Sequence, residues 1–425
     1  MKFVLASYGS RGDIEPSIAV GGELLRRGHE VSMAVPPDFV GFAESMGLPA
    51  VAYGPYLQAF WDEAFLRGFW PNLLRNLWTI REPIRLVREL WEPCQRYWAE
   101  MSQTLTTLCD QADLLFTGLL YQDLAASVAE HYEIPFVTLH YFPVRPNGQL
   151  FRNVPSPLLR SAMTLHDWFC WRMNKRSEDA QRGELGLPKA TQHAGRRITE
   201  SGALEIQAYD KVFFPRLEAE WARWADRRPF IGALTLELST DNDDEIASWI
   251  RLGSPPICFA MATIAIESPV ATMELIAEAC AQLGERALVC VGGRDFSGTP
   301  SFEHVKLVGM ANYRTTFPAC RAVVHHGGSG TTAAGLRAGI PTLILWTAGD
   351  QPFWAASVKR LKVGTARRFA ATTCQSLVAD LRRILTPEYV ARARDFATHM
   401  TNPRESAARA ACLVEQFARV RRVTR

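Results

Sequence analysis

The stretch Val323-Val324-His325-His326-Gly327-Gly328-Ser329-Gly330-Thr331-Thr332 constrains the fold more than any other part of the chain. It closes an apolar, strand-like run over 321–326 and opens a segment rich in Ala and Leu, so it marks a turn from strand into helix. Glycines there let backbone N–H groups approach a bound group closely, the helix start carries positive partial charge, and Ser329, Thr331 and Thr332 offer hydroxyls. Such a turn suits a diphosphate. A tight turn that needs small residues only for packing would use the same glycines, but the flanking strand and helix are the setting a phosphate site requires.

Strand and helix alternate along the rest of the chain as well. Residues 2–6 read as a strand, 9–13 as a loop, 15–27 as a helix ended by Gly28, and 30–35 as a second strand. Segments 113–117, 121–132 and 135–139 repeat the unit. Apolar runs at 256–262, 287–291, 305–308, 321–326 and 340–345, separated by helices such as 273–283 and 353–362, restart it. Strand-helix-strand units imply parallel sheets, so the fold class is α/β with two doubly wound domains. A chain of 425 residues is too long for one ordinary core and suits two domains of about 200. We expect the first domain over 1–215, a linker over 216–235, the second domain over 236–402, and a last helix over 403–425 packing back on the first domain. Two such domains in series would leave a central cleft onto which their loop-to-helix turns open.

Composition excludes several function classes. A hydrophobic content of 48% with 21% charged residues describes a soluble globular protein. A net charge of +3 is too small to argue for nucleic acid, and the one basic fringe, 419–425, reads as solvated. The apolar run at the N-terminus is too short for a signal-peptide core and meets Arg11 and Asp13 at once, and no segment has 18 uninterrupted apolar residues. The expected location is the cytoplasm, with peripheral contact at the inner face of the membrane open to it. The nine cysteines are scattered without a Cys-x-x-Cys pair, several inside apolar runs, and read as reduced core thiols. Segment 56–99 interleaves Phe60, Trp61, Phe65, Phe69, Trp70, Trp78, Trp91, Tyr97 and Trp98 with Arg67, Arg75, Arg81, Arg85 and Arg88, broken at Pro71, Pro83 and Pro93. It could complete a core, line an apolar cleft or lie against lipid.

Two groups of residues imitate metal sites. His325 and His326 are neighbours on a strand and point to opposite faces, so they cannot share one ion. The acidic run Asp241-Asn242-Asp243-Asp244 precedes a helix over 245–250, where Asp is ordinary N-terminal chemistry. We expect no metal. Asp13, in the loop Gly9-Ser10-Arg11-Gly12-Asp13, is a candidate helix cap, and a capping carboxylate can also be a general base.

The run from His325 through Gly327-Gly328-Ser329-Gly330-Thr331-Thr332 to Gly339-Ile340-Pro341, followed by Gly349-Asp350-Gln351-Pro352-Phe353-Trp354, resembles the donor-site signature of the family 1 inverting glycosyltransferases. The opening Gly9-Ser10-Arg11-Gly12-Asp13-Ile14-Glu15-Pro16 resembles the start of that family's bacterial glycopeptidolipid, antibiotic and sterol branches. The resemblance runs over most of the chain. It implies a GT-B fold whose C-terminal domain holds a nucleotide-diphosphate sugar and whose N-terminal domain holds an acceptor alcohol. His326 and the amides of Gly328, Ser329, Gly330 and Thr331 would then hold the diphosphate, while Asp350 and Gln351 would bind sugar hydroxyls. Val308 and Met310 would stand beside the nucleobase, Ser10, Arg11, Gly12 and Thr263 would contact the donor, and Asp13 would be the general base. The implied reaction moves a sugar such as rhamnose from a TDP- or UDP-sugar to a lipophilic acceptor such as a glycopeptidolipid, with no cofactor beyond that co-substrate. A sterol or other small-molecule glucosyltransferase, a sugar-nucleotide epimerase and a non-catalytic sugar-nucleotide-binding protein are the alternatives. One departure stands out: Phe259-Ala260-Met261-Ala262-Thr263 occupies the place where the family usually has a Gly-Ser pair, which bears on donor fit.

Overall fold

A computed structural model of the chain describes residues 1–57, 95–151, 154–261 and 268–423. Among these residues the strands form two parallel sheets of six. The first contains β1 (Lys2–Ala6), β2 (Glu30–Val35), β3 (Ala50–Ala52), β4 (Leu114–Thr117), β5 (Phe136–His140) and β6 (Leu204–Gln207), in the order β3-β2-β1-β4-β5-β6. Its helices are α1 (Arg11–Arg26), α2 (Pro37–Ser45), α3 (Trp98–Cys109), α4 (Gln122–His131), α5 (Ser156–Glu184) and α6 (Ala194–Glu200). Phe3, Val4, Leu5 and Ala6 are all buried, so β1 is apolar on both faces, as a central parallel strand covered by helices must be. Val4, Ala6 and Tyr8 form one core with Trp98 and Leu105 of α3 and Leu124 and Val128 of α4.

The second sheet contains β7 (Ile257–Ala260), β8 (Ala287–Cys290), β9 (Val305–Val308), β10 (Ala322–His325), β11 (Thr342–Trp346) and β12 (Gly364–Arg368), in the order β12-β11-β10-β7-β8-β9. It is accompanied by α7 (Asp243–Arg251), α8 (Pro269–Leu283), α9 (Ser329–Arg337), α10 (Gln351–Leu361), α11 (Cys374–Ile384) and α12 (Pro387–Ala397), after which the chain ends in α13 (Pro403–Val423). Both sheets have the same winding: the unit's first strand lies beside its fourth, β1 beside β4 and β7 beside β10. Winding reverses there, and the loops leaving the carboxyl ends of those strands frame the place where open α/β sheets bind ligands.

Two compact units result, one of Met1–Lys211, Pro215–Leu234 and Asn402–Arg425, the other of Val212–Phe214 and Thr235–Thr401. The linker expected over 216–235 is not a free connection. Its residues up to Leu234 fold as part of the first unit around Trp221, only 1% exposed, whose indole stacks on Phe230 with centroids 6.3 Å apart. Helix α13 packs against α1, where Glu415 takes Arg27 at 3.0 Å and His29 at 2.6 Å.

Several helices start earlier than apolar periodicity alone indicates, because capping sets the start. Helix α1 begins at Arg11, not 15, with Ser10 as its N-cap, and α8 begins at Pro269, not 273, where the Ser268 side chain accepts from the Ala271 N–H at 3.2 Å. The 29-residue α5 has no counterpart among the expected elements, since Leu158 and Leu165 are more than 60% exposed and leave no apolar stripe to read. Among the described residues no helix is long and apolar enough to cross a membrane. Most of segment 56–99 lies outside the described residues.

Candidate active site

In the first unit β1 ends at Ala6 and the chain turns through Gly9 into α1 at the switch point. Gly9 has φ +130°, and a Cβ on it would stand 2.5 Å from Asp13 Oδ2, so only glycine leaves room for that carboxylate. Asp13 is the third residue of α1. Its Oδ2 accepts from the Ser10 backbone N–H and from the Ser10 hydroxyl, each at 2.7 Å. This is the returning half of a capping box, so Asp13 does satisfy the helix start, but from inside it and not as the N-cap. The Tyr141 hydroxyl donates to the other oxygen, Oδ1. Burial pushes the Asp13 carboxyl above its usual range, against the pull of these hydrogen bonds. A half-buried carboxylate of raised basicity after a switch-point strand can accept a proton.

The residues beside Asp13 have uses of their own. Both Ser10 hydrogens are spent on Asp13, so Ser10 holds the carboxylate and is not a free donor to a phosphate. Arg11 lies over the Phe42 ring at 4.8 Å and pairs with Glu15 at 3.3 Å, and Gly12 is exposed. Tyr141 follows the last residue of β5 and was not singled out in the sequence. Its only signal is an aromatic residue directly after a buried strand in His140-Tyr141-Phe142-Pro143. Beyond it Arg145 bonds to Glu205 and, at 3.0 Å, to Gln122, while Arg228 reaches Glu205 at 3.0 Å. The two arginines hold the buried Glu205 well below the usual carboxylate range although burial pushes it up.

In the second unit β10 ends at His325 and α9 begins at Ser329 with Gly328 as its N-cap and no side chain capping it. Thr332 N–H is taken up by Gly328 O at 3.0 Å, which leaves the amides of Ser329, Gly330 and Thr331 at the open end of the helix. The Thr332 hydroxyl also bonds to Gly328 O, at 2.8 Å, so it is not the phosphate donor expected. Gly327 has φ +97°, and a Cβ there would strike Ile344 Cγ2 at 2.7 Å. A Cβ on Gly328 would strike His326 Nε2 at 2.5 Å, so the imidazole lies directly against the helix start. Burial lowers His326 to about 4, leaving it neutral and able to donate one hydrogen bond. His325 is buried and held well below its usual value. Its Nδ1 accepts from Gly327 N–H at 2.9 Å, which places its proton on Nε2 and pins the turn.

Gln351 opens α10 beside the same turn, with its Cβ 3.4 Å from the Cβ position of Gly327. Its Oε1 accepts from Thr347 N–H at 2.7 Å and Ala348 N–H at 3.3 Å, so the oxygen serves the loop. Asp350 Oδ2 accepts from Trp354 Nε1 at 2.8 Å. The Val308 side chain sits in the core with Ile246, Cys290 and Phe317, and its carbonyl accepts from Val291 N–H at 3.0 Å. Met310, two residues on, is 37% exposed. Ala260 is likewise a core residue at the end of β7, while Ala262 and Thr263 lie outside the described residues. Asp243 binds Thr240 and Asn312 at the start of α7, which is helix-start chemistry. Among the described residues no group of three His, Cys, Asp or Glu side chains could hold a metal ion.

Comparison with known proteins identifies this arrangement. Residues 3–104 match the glycosyltransferase family 28 N-terminal domain, and residues 264–413 match the C-terminal domain of erythromycin biosynthesis protein CIII-like proteins. An uncharacterized glycosyltransferase of Mycobacterium tuberculosis is 55% identical over 99% of both chains. The vancomycin aglycone glucosyltransferase of Amycolatopsis orientalis is 28% identical over 93% of both. Among solved structures, the glycosyltransferase of kitacinnamycin superposes with a TM-score of 0.70 at 19% identity over 98% of both chains. The spinosyn rhamnosyltransferase gives 0.66 at 16% identity, over 98% of this chain and 99% of that one. The glycosyltransferase VinC, in complex with dTDP, gives 0.64 at 17%, over 99% and 100%. With parallel sheets of this winding and relatives matched over nearly their whole length, the chain belongs to the family 1 glycosyltransferases of GT-B fold, enzymes that use nucleotide sugars.

Proposed function

We propose that the chain transfers a sugar, with inversion, from a TDP- or UDP-sugar to a hydroxyl of a lipophilic acceptor. The observation that carries the reading is the contrast between two helix starts: that of α1 holds its own carboxylate, Asp13, and that of α9 is left uncapped. An inverting transfer needs one base for the acceptor hydroxyl and one anion site for the departing diphosphate. Asp13 fills the first role. The amides of Ser329, Gly330 and Thr331, with the neutral His326 against Gly328, fill the second, and Asp350 with the Gln351 amide addresses sugar hydroxyls. Met310 borders the nucleobase. No cofactor beyond the sugar nucleotide enters this reading.

A TDP donor is supported by the dTDP bound to VinC, and a deoxyhexose such as rhamnose by the likeness to a spinosyn rhamnosyltransferase. A glycopeptidolipid-type acceptor, met at the inner face of the membrane through segment 56–99, completes the proposal. The second reading, glucosylation of a sterol or another small molecule, is favoured by the vancomycin aglycone relative.

The test measures nucleotide diphosphate release from a panel of TDP- and UDP-sugars, with and without a lipid extract. Acceptor-dependent release from a TDP-deoxyhexose is expected. Release only with a sterol or aglycone would favour the second reading, interconversion of sugar nucleotides without release an epimerase, and donor binding without any turnover a binding protein. Undiminished donor binding in His326→Ala would overturn the cradle.

A further inference from the structure

We propose that Tyr141 is the positioning residue of the proton-accepting carboxylate, its hydroxyl holding Asp13 so that one remaining lone pair of Oδ1 takes the proton of the acceptor alcohol. The inference rests on the reading of Asp13 as the base.

Counting lone pairs leads to that atom. A carboxylate offers about four acceptor directions, two on each oxygen. Oδ2 spends both on the Ser10 N–H and hydroxyl, and Oδ1 spends one on the Tyr141 hydroxyl. Among the described residues those three bonds leave a single direction, on Oδ1. The Ser10 bonds are local: the backbone one belongs to any capping box, and the hydroxyl one joins residues three apart. The Tyr141 bond is not, because its partner arrives from 128 residues further along the chain. Helix capping gives no reason for it.

Tyr141 is well placed to hold a group still. It follows β5, which is paired with β4 on one side and β6 on the other. Immediately before it His140 is buried, with Nδ1 bonded to Gln207 Nε2 at 3.2 Å. Asp13 itself is anchored on α1, so the contacts on Oδ2 and the one on Oδ1 come from separate elements and fix the plane of the carboxylate. Preorganised geometry of this kind is what proton transfer in a displacement requires.

In the step, the acceptor oxygen forms its bond to the anomeric carbon while its hydrogen passes to Asp13 Oδ1. The bond from that carbon to the diphosphate oxygen breaks, and its electron pair leaves with the diphosphate. Tyr141 keeps its own proton throughout. By donating to the ionised form of Asp13, it opposes the burial that would otherwise keep the carboxyl protonated.

The experiment compares kcat/KM against pH for the native chain, Tyr141→Phe and Asp13→Asn. Tyr141→Phe should move the acid limb up by about one pH unit, so that activity within the limb falls about tenfold while the alkaline plateau falls less and KM for the sugar nucleotide is kept. Placing 3-fluorotyrosine at 141, a stronger donor of nearly the same shape, should move the limb the other way. A limb that stays in place in folded Tyr141→Phe, or that moves alike in both variants, overturns the proposal. If Tyr141→Phe does not fold, the fluorinated chain decides. Asp13→Asn separates the two readings: native turnover in that variant sinks Asp13 as base, whereas an inactive Asp13→Asn with an unmoved Tyr141→Phe limb sinks Tyr141 alone.

Discussion

The turn after β1 and the turn after β10 are built on one plan. Each leaves a buried parallel strand at the switch point of its sheet, passes a glycine at positive φ, Gly9 or Gly327, and enters a helix whose first amides point outward. They differ in what meets those amides. In α1 the third residue is Asp13, which returns its carboxylate to the N-cap, so the positive end of the helix is answered from within. In α9 the third residue is Thr331 and the N-cap is glycine, so no side chain caps the helix start. On the function proposed above, one backbone device would serve a base in one unit and an anion in the other, according to what stands at the N-cap and at the third helical position.

Five measurements break or sharpen that comparison. The largest effect belongs to Asp13→Asn, which should lower acceptor-dependent turnover by about 10²–10⁴-fold. Donor affinity, measured by calorimetry, should hold, and a matching loss there would mean the two turns are not separate in function. Next, Thr331→Asp copies the α1 arrangement into α9: nucleotide diphosphate binding should weaken about a hundredfold or more through like-charge repulsion. The melting temperature should stay level or rise slightly, since a carboxylate suits a helix start. Unchanged binding in that variant would remove the anion from the cradle.

Gly327→Ala should cost about 1–3 kcal/mol in denaturant unfolding, because φ +97° and the 2.7 Å approach to Ile344 both oppose a Cβ. Gly9→Ala should cost stability too, but its mark is lost turnover, since the added Cβ displaces Asp13 Oδ2. Loss of stability without loss of turnover would show that the carboxylate is not held where it works.

The smallest effect per step is acidification. His326 has its folded value lowered to about 4, so between the ordinary histidine value and about 4 the unfolded chain takes up a proton that the folded one refuses. Stability therefore falls with pH in that window, by at most about 1.4 kcal/mol per pH unit for each such histidine. His325 and His326 act in the second unit, and His140 and His193 in the first, where His166, raised to about 10 by its hydrogen bonds to Asp167 and Cys170, acts the opposite way. Asp13, Asp123 and Glu178, all pushed up by burial, work the opposite way in the first unit, because their burial cost is relieved as they protonate. Hydrogen exchange on the intact chain at pH 7 and pH 5 should show the second unit losing more protection, and equal losses would contradict the asymmetry.

The glycine turn after β10 was legible because everything that makes it is near in sequence. Glycines, the strand before them and the helix after them lie within a dozen residues, and close backbone approach needs glycine whatever surrounds it. Asp13 was legible as a residue but not in its exact place, since the choice between cap and third position depends on where α1 begins, and Ser10 moved that start to Arg11. Residue type does not say which way a side chain turns: the Val308 side chain went into the core and the Thr332 hydroxyl closed on Gly328.

What the sequence determined by itself was the alternation of strands and helices around β1 and β10 and the two glycine turns. These follow from propensity, periodicity and steric exclusion, which act over a few residues. Only the tertiary structure decided that Tyr141 would meet Asp13, that Glu415 would hold His29, and that residues 216–234 would fold into the first unit. Those partners are distant along the chain, and packing, which has no period to read, sets which of them come together.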